Sequence, residues 1–327
     1  MLSAPDALDE DAVPERELVV HRRDELDRLR KTLSPPTPSD LTYLIGPTGT
    51  GKTMLSKLVV DILERKHNIR TVYINCWEHY ERTAILYQAV SGLCDAAIQR
   101  GSTGRSELID YLNDDPPQPQ ILILDEADQL ADKRVLYDLH EAPVNVVLIA
   151  NNEDDLFADI DDRVRSRLAV GQRIECGAYS TRELAEILEQ RAAHALPSRR
   201  YTPQHLDWIA DHADGDARVA IRTLRVANEQ RDGNLDRPTI DEALPQARSE
   251  LRQKSLHQLN DHQRAAYDVI ADVDDTPLTT TEVAERYQKR VDNPRTTRQV
   301  RTYLRKLHQY NLLERHGTSN YRWSLIE

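Results

Sequence analysis

The sequence predicts an α/β chain: a doubly wound, mostly parallel sheet, then a helical lid, then a C-terminal winged helix-turn-helix. Three observations carry that expectation. A glycine-rich string, GPTGTGKT at 46–53, lies between the apolar run Leu41–Ile45 and a helical pattern that starts near Met54. A second all-apolar run, Ile121–Leu124, ends in Asp125-Glu126, as a strand buried on both faces does. From Ser180 the strand signals stop and helix starts recur, until two short alternating segments flank Gly317-Thr318-Ser319-Asn320.

Taken in order, Met1–Arg16 is acidic and has no hydrophobic signal region, so residues 1–17 are expected to be a disordered tail and export is not indicated. Leu26, Leu29 and Leu33 recur at helical spacing, and Ser34-Pro35-Pro36-Thr37-Pro38 ends that helix. Strand-like runs follow at Leu41–Ile45, Thr71–Ile74, Ile121–Leu124, Val144–Ala150 and Arg173–Cys176, separated by helical stretches, which is the rhythm of βα units. Residues 18–177 are therefore read as a nucleotide-binding α/β domain. Helix starts at Ser180/Thr181 with Glu183, at Thr202-Pro203, at Gly215-Asp216 and at Arg237-Pro238-Thr239 define a helical lid over 178–254. Helices over 261–271, 281–290 and 295–309, followed by the two alternating segments, give a winged helix over 255–327.

The 327 residues suffice for two or three domains. Lys and Arg number 43 against 55 Asp and Glu, a net charge of −12, so the chain as a whole is no nucleic-acid glove. An acid excess with mainly Arg as the basic residue and a single Phe, Phe157, fits either a high-salt cytoplasm or a generally acidic surface. Cys76, Cys94 and Cys176 lack metal-ligand spacing and are expected to be reduced thiols. No apolar run reaches membrane-spanning length. A cytoplasmic, nucleoid-associated protein without a membrane partner is expected.

The 46–53 string carries chemistry. Gly46, Gly49 and Gly51 let backbone N–H groups close on phosphates, Lys52 adds a point charge near the β/γ oxygens, and Thr53 offers a hydroxyl to Mg²⁺. Pro47, Thr48, Thr50 and Met54 complete the lining, and ATP or ADP with Mg²⁺ is the implied cofactor. Asp125 and Glu126 end a buried strand at the sheet edge where ligands bind. Asp125 suits the Mg²⁺ shell and Glu126 the orientation of an attacking water.

Charge is partitioned along the chain. Residues 255–327 hold 11 Lys and Arg against 10 Asp and Glu, leaving 32 against 45 for residues 1–254. On the 295–309 helix Val300, Tyr303, Leu304 and Leu307 share one face, while Arg298, Arg301, Thr302, Arg305 and Gln309 share the other. Arg295 at its start, with Arg315 and Arg322 in the wing, completes a set suited to double-stranded DNA, the Arg-lined helix in a major groove and the wing on flanking phosphates.

P-loop, Asp-Glu strand, helical lid and winged helix in this order resemble the archaeal Orc/Cdc-type replication initiator ATPases of the AAA+ class, over about Leu18 to Glu327. Val20-His21-Arg22-Arg23-Asp24-Glu25-Leu26 resembles the segment that lies beside the adenine in that family. The resemblance implies a first-sensor role for Asn152 in Ala150-Asn151-Asn152, and an arginine finger toward a neighbouring subunit at Arg163 or Arg167. It also implies Tyr179 and Arg191 touching nucleotide across the hinge, and Arg218 of Gly215-Asp216-Ala217-Arg218 as the second sensor. Glu81–Gly104 stands where the family has a helical insertion that touches DNA, with few basic residues, Arg82 and Arg100 among them. The resemblance implies an origin-binding initiator that recruits or loads a replicative helicase, self-associates with ATP and hydrolyses it slowly. A DNA-bound regulator or plasmid-maintenance ATPase without helicase loading is the alternative.

Overall fold

The computed structural model describes residues 6–326 apart from 15, 17–18, 35–40, 159, 232, 274–275 and 318–320. The chain divides into two compact units, Met1–Leu244 and Pro245–Glu327. The division falls ten residues before the expected boundary at 255.

In the first unit, five parallel strands form a sheet of order β2-β3-β4-β1-β5: β1 Leu41–Ile45, β2 Arg70–Asn75, β3 Gln120–Asp125, β4 Asn145–Ala150 and β5 Gln172–Glu175. β1, β3 and β4 are buried at every residue, while β2 and β5 at the edges are partly exposed. Alternation decides which face each side chain covers. Leu44, Ile121, Ile123, Val147 and Ile149 pack with Leu26, Leu29, Leu55 and Val59 of α1 (Arg23–Thr32) and α2 (Lys52–Glu64). Tyr43, Leu122, Leu124, Val146 and Leu148 pack on the other face against α3 (Arg82–Leu93), α4 (Arg105–Asn113) and α5 (Val135–Glu141). Short α6 (Glu153–Leu156) and α7 (Asp162–Leu168) link β4 to β5.

The lid follows in the same unit as α8 (Thr181–Ala195), α9 (Pro203–Asp211) and α10 (Ala217–Glu229). Their starts follow the predicted signals. Ser180 with Glu183 and Thr202 with His205 form reciprocal capping boxes, and Asp216 accepts from the Arg218 and Val219 amides. α11 (Arg237–Gln258) contains Pro245, which cannot donate an i→i−4 bond, and the compact units divide at that residue.

In the second unit α12 (Asp261–Ala271), α13 (Thr280–Arg290) and α14 (Thr297–Gln309) precede β7 (Leu313–His316) and β8 (Arg322–Leu325). Both strands join a short β6 (Leu278–Thr279) in an antiparallel sheet of order β6-β8-β7, the element order expected of a winged helix. Val283, Tyr287, Val300, Leu304, Leu307 and Trp323 form its core, each fully buried. Trp323 Nε1 donates to Thr280 Oγ1 at 3.0 Å, which satisfies the one polar atom of that ring. α14 starts two residues later than predicted because Thr296 and Gln299 form a capping box.

The expected disordered tail over 1–17 is corrected for residues 6–14; residues 1–5, 15 and 17 lie outside the described set. Asp6–Leu8 makes a 3-10 turn, and Ala7 and Leu8 are buried. Arg191 Nη1 of α8 donates to the Ala7 and Asp9 carbonyls at 3.1 and 3.3 Å, and Arg222 of α10 pairs with the fully buried side chain of Glu10. Composition hid this because the segment's few apolar residues are placed where lid arginines satisfy its backbone. Glu10→Ala removes the buried carboxylate that pairs with Arg222 and is expected to lower stability by roughly 3 kcal/mol in chemical denaturation. It should also expose residues 6–14 to proteolysis.

Candidate nucleotide site

The carboxyl ends of the sheet converge on the P-loop. Ile45 pairs with Ala150 on one side and Glu175 on the other, so the segments that follow β1, β4 and β5 start level. Close approach explains two of the loop glycines. A Cβ on Gly46 would lie 1.9 Å from the Cys176 carbonyl oxygen, and one on Gly49, at φ +79°, would lie 1.9 Å from Asp216 Oδ1. Gly49 O also accepts from the Ala217 amide at 3.1 Å, so the start of lid helix α10 rests on the phosphate loop.

Lys52 is buried, and its Nζ donates to Gly46 O at 2.6 Å, Pro47 O at 2.8 Å and Asn151 Oδ1 at 3.3 Å. Burial pulls the pKa of this ammonium down, against the nearby carboxylates of Glu126 and Asp125, which hold it up. The ammonium is thus folded onto the loop's own carbonyls, where phosphate oxygens would compete for it as stronger acceptors. Asp125 Oδ2 accepts from Thr53 Oγ1 at 2.7 Å and from Tyr73 Oη at 2.6 Å, and its Oδ1 accepts from the Glu126 amide at 2.9 Å. Burial and the Asp125 carboxylate push the Tyr73 phenol far above the usual range, so it stays a donor. A hydroxyl and a carboxylate in contact at the start of α2 are hard oxygen donors of the kind that bind Mg²⁺ with nucleotide phosphates. Glu126 holds a left-handed backbone, φ 55° and ψ 43°, at the end of β3. A glutamate in that region stores strain, which fits a functional position.

The two asparagines after β4 make different contacts. Asn152 caps α6: its Oδ1 accepts from the Asp155 amide and its Nδ2 donates to the Asp155 carboxylate, both at 2.7 Å. Asn151 instead turns its Oδ1 to Thr48 Oγ1 and Lys52 Nζ, each at 3.3 Å. Asn152 followed three residues later by Asp155 is itself a cap signal, which could have separated the two.

At the hinge Tyr179 is buried, and its hydroxyl lies 3.1 Å from where a Gly51 Cβ would stand. Arg191 anchors the N-terminal segment through the Ala7 and Asp9 carbonyls and lies close enough to Tyr179 for the two groups to interact electrostatically. Arg218 forks onto Asp216 at 2.9 and 3.3 Å, and its charge is felt at Lys52. Arg22 is a site residue that the sequence reading passes over, although its segment stands out there. Its Nε donates to Thr50 O at 3.1 Å, Nη2 donates to Gly177 O, and the guanidinium lies 4.1 Å over the Tyr179 ring. It ties P-loop, hinge and α1 together. Pro47 is exposed, and Thr48 and Met54 are half-buried beside fully buried Thr50. Arg167, half exposed, donates to Tyr137 Oη at 2.6 Å, whereas the side chain of Arg163 lies outside the described residues.

In the second unit Arg298, Arg301, Thr302 and Arg305 are exposed on α14, opposite fully buried Val300, Leu304 and Leu307, and Arg315 and Arg322 are exposed on the wing strands. Arg315 stacks over Tyr321 at 4.6 Å. Arg295 differs from the expected DNA set. It is half-buried, its Nε meets His262 Nε2 at 3.2 Å and its amide donates to Tyr287 Oη at 3.2 Å, so it braces the start of α14. Arg82 of the 81–104 segment is likewise engaged, forked onto Asp138 at 2.7 Å in both arms.

Fold and site together define an AAA+ nucleotide-binding protein with an initiator-type lid. Residues 37–156 match the family described as AAA domain, and residues 185–248 match the Cdc6 AAA+ ATPase-type lid domain. The chain is 41% identical over 320 residues to ORC1-type DNA replication protein 9 of Halobacterium salinarum, covering 94% of this chain and 90% of that one. It therefore belongs to the ORC1-type DNA replication proteins. In fold it is similar to the Aeropyrum pernix ORC1 protein solved in complex with DNA, with a TM-score of 0.72 at 24% identity, covering 99% of this chain and 94% of that one. The Aeropyrum pernix ORC2 protein, solved as ADPNP-ADP complexes, aligns with a TM-score of 0.63 at 23% identity over 98% of this chain and 93% of that one. The acidic, Arg-rich composition accords with the relative from Halobacterium. Among the described residues no helix is long and apolar enough to cross a membrane.

The two asparagines should separate experimentally. Asn152→Ala is expected to cost about 1 kcal/mol of stability through its lost cap, with nucleotide affinity unchanged. Asn151→Ala should leave the melting temperature near that of the parent and slow ATP turnover in a phosphate-release assay.

Proposed function

We propose that this chain is an ATP-switched initiator that recognises replication-origin DNA and recruits or loads the replicative helicase. The observation that supports it best is the joining, in one chain, of a P-loop bracketed by a lid to a unit whose α14 exposes Arg298, Arg301 and Arg305. The membership in the ORC1-type family gives the same direction.

In this reading the P-loop amides and Lys52 hold the β/γ-phosphates, and Arg22 with Tyr179 fixes the loop against the hinge. Thr53 and Asp125 would hold Mg²⁺, which supplies charge neutralisation at the phosphates. Glu126 accepts a proton from the attacking water, with Asn151 fixing the γ-phosphate side of the site. Arg218 leaves its fork on Asp216 for the stronger phosphate acceptor, so lid position reports the nucleotide. Arg163 or Arg167 completes the site of a second copy, which makes turnover slow in the monomer. Arg298 and Arg301, nearer the α14 N-terminus, read base edges, and Arg315 and Arg322 bind phosphates.

Lys52→Ala is expected to abolish ATP binding in equilibrium dialysis, whereas Glu126→Gln should bind ATP and lose turnover. Replacing Arg298, Arg301 and Arg305 together by Ala should erase the footprint on the preferred site while the unit stays folded, each base contact being worth about 1–3 kcal/mol. Losing Arg315 or Arg322 should weaken binding to all sequences and lower the log–log salt slope by about one per contact. Occupancy mapping in the native cell tests the whole reading. Peaks at replication start sites support it, and peaks confined to promoters or plasmid loci would replace it with a regulatory or plasmid-maintenance role.

A further inference from the structure

Tyr73 sits on edge strand β2, two residues before Asn75, which is the register partner of Asp125. The residue is 40% exposed, with Lys57 Nζ of α2 4.5 Å from the ring centroid. A tyrosine that only packed on an edge strand would turn its hydroxyl to water. Here the hydroxyl runs along the sheet surface to Asp125 Oδ2 at 2.6 Å, the oxygen that also accepts from Thr53 Oγ1 at 2.7 Å.

The two donors differ in what a metal ion does to them. Thr53 and Asp125 are the residues that would hold Mg²⁺, so the Thr53 hydroxyl would serve the ion rather than act as a fixed donor to Asp125. The Tyr73 hydroxyl comes from a different element, β2, and donates to the carboxylate. It is the side-chain donor that can keep the Asp125 plane fixed through that change, and hydrogen bonds of this kind set the orientation of groups that face a metal.

We infer that Tyr73 is a positioning residue, holding the Asp125 carboxylate in the orientation that receives Mg²⁺ with the nucleotide phosphates. This rests on the nucleotide reading of the P-loop. The loss is therefore confined to the magnesium-dependent part of binding, because Lys52 and the loop amides contact phosphate without Asp125.

The test uses the full chain and a fluorescent ATP analogue, first in EDTA and then titrated with MgCl₂ at constant KCl, comparing parent with Tyr73→Phe. Phe keeps the ring against Lys57 and removes only the hydroxyl. The expected result is equal affinity in EDTA and a half-saturating Mg²⁺ concentration raised about tenfold in Tyr73→Phe. Superimposable Mg²⁺ titrations overturn the inference while leaving the nucleotide site intact. A lowered melting temperature with a parent-like Mg²⁺ titration assigns Tyr73 to packing and also overturns it. Loss of affinity in EDTA as well would show a general collapse of the site and overturn the specific role. Absence of binding by the parent under both conditions would instead remove the nucleotide reading, and the inference with it.

Discussion

The parallel register of β3, β4, β1 and β5 is the constraint on which the site depends. With Leu124 opposite Leu148, Ile45 opposite Ala150 and Ile45 opposite Glu175, the chain leaves four strands at nearly one level. The P-loop, Asp125, Asn151 and the hinge at Gly177 to Tyr179 are therefore neighbours, although the sequence separates them widely. The fully buried central strands make that register costly to slip, since a one-residue shift would exchange the side chains committed to each sheet face.

On this platform the contacts around the loop come from arginines and carboxylates rather than from apolar packing. Arg22 reaches Thr50, Gly177 and Tyr179, and Asp216 caps α10 while it rests against Gly49 and receives Arg218. Such contacts exchange partners at modest cost, which suits a lid that responds to a ligand. Arg191 and Arg222 of the lid likewise hold the N-terminal segment, through Ala7, Asp9 and Glu10.

Much of this is legible in the sequence, for identifiable reasons. The P-loop and the Asp-Glu strand combine local spacing with an apolar run, and helix starts such as Ser180-x-x-Glu183 and Asp216 write their hydrogen bonds into adjacent residues. Asn151 is not legible, because two successive asparagines after a strand differ only in which way each side chain points. The contacts of Arg191 and Arg295 are illegible for a related reason. The sequence does not show the partners an arginine takes within the fold, here two backbone carbonyls for Arg191 and His262 for Arg295. Tyr73 and Arg22 escape as site residues because their contacts join elements far apart in the chain.

The close approach of Gly49 to Asp216 has an evolutionary consequence. The glycine is favoured on two counts, its positive φ and the carboxylate that fills the space a side chain would need. Because that carboxylate belongs to the lid, drift in the phosphate loop and drift in the lid are not independent. A lineage that enlarged residue 49 would have to shift or shrink the side chain at 216, and would disturb the helix cap and the partner of Arg218 in the same step. Two positions that look like separate motifs are one heritable unit, and recombination that exchanged lids between distant relatives would be tolerated only where this pair travelled together.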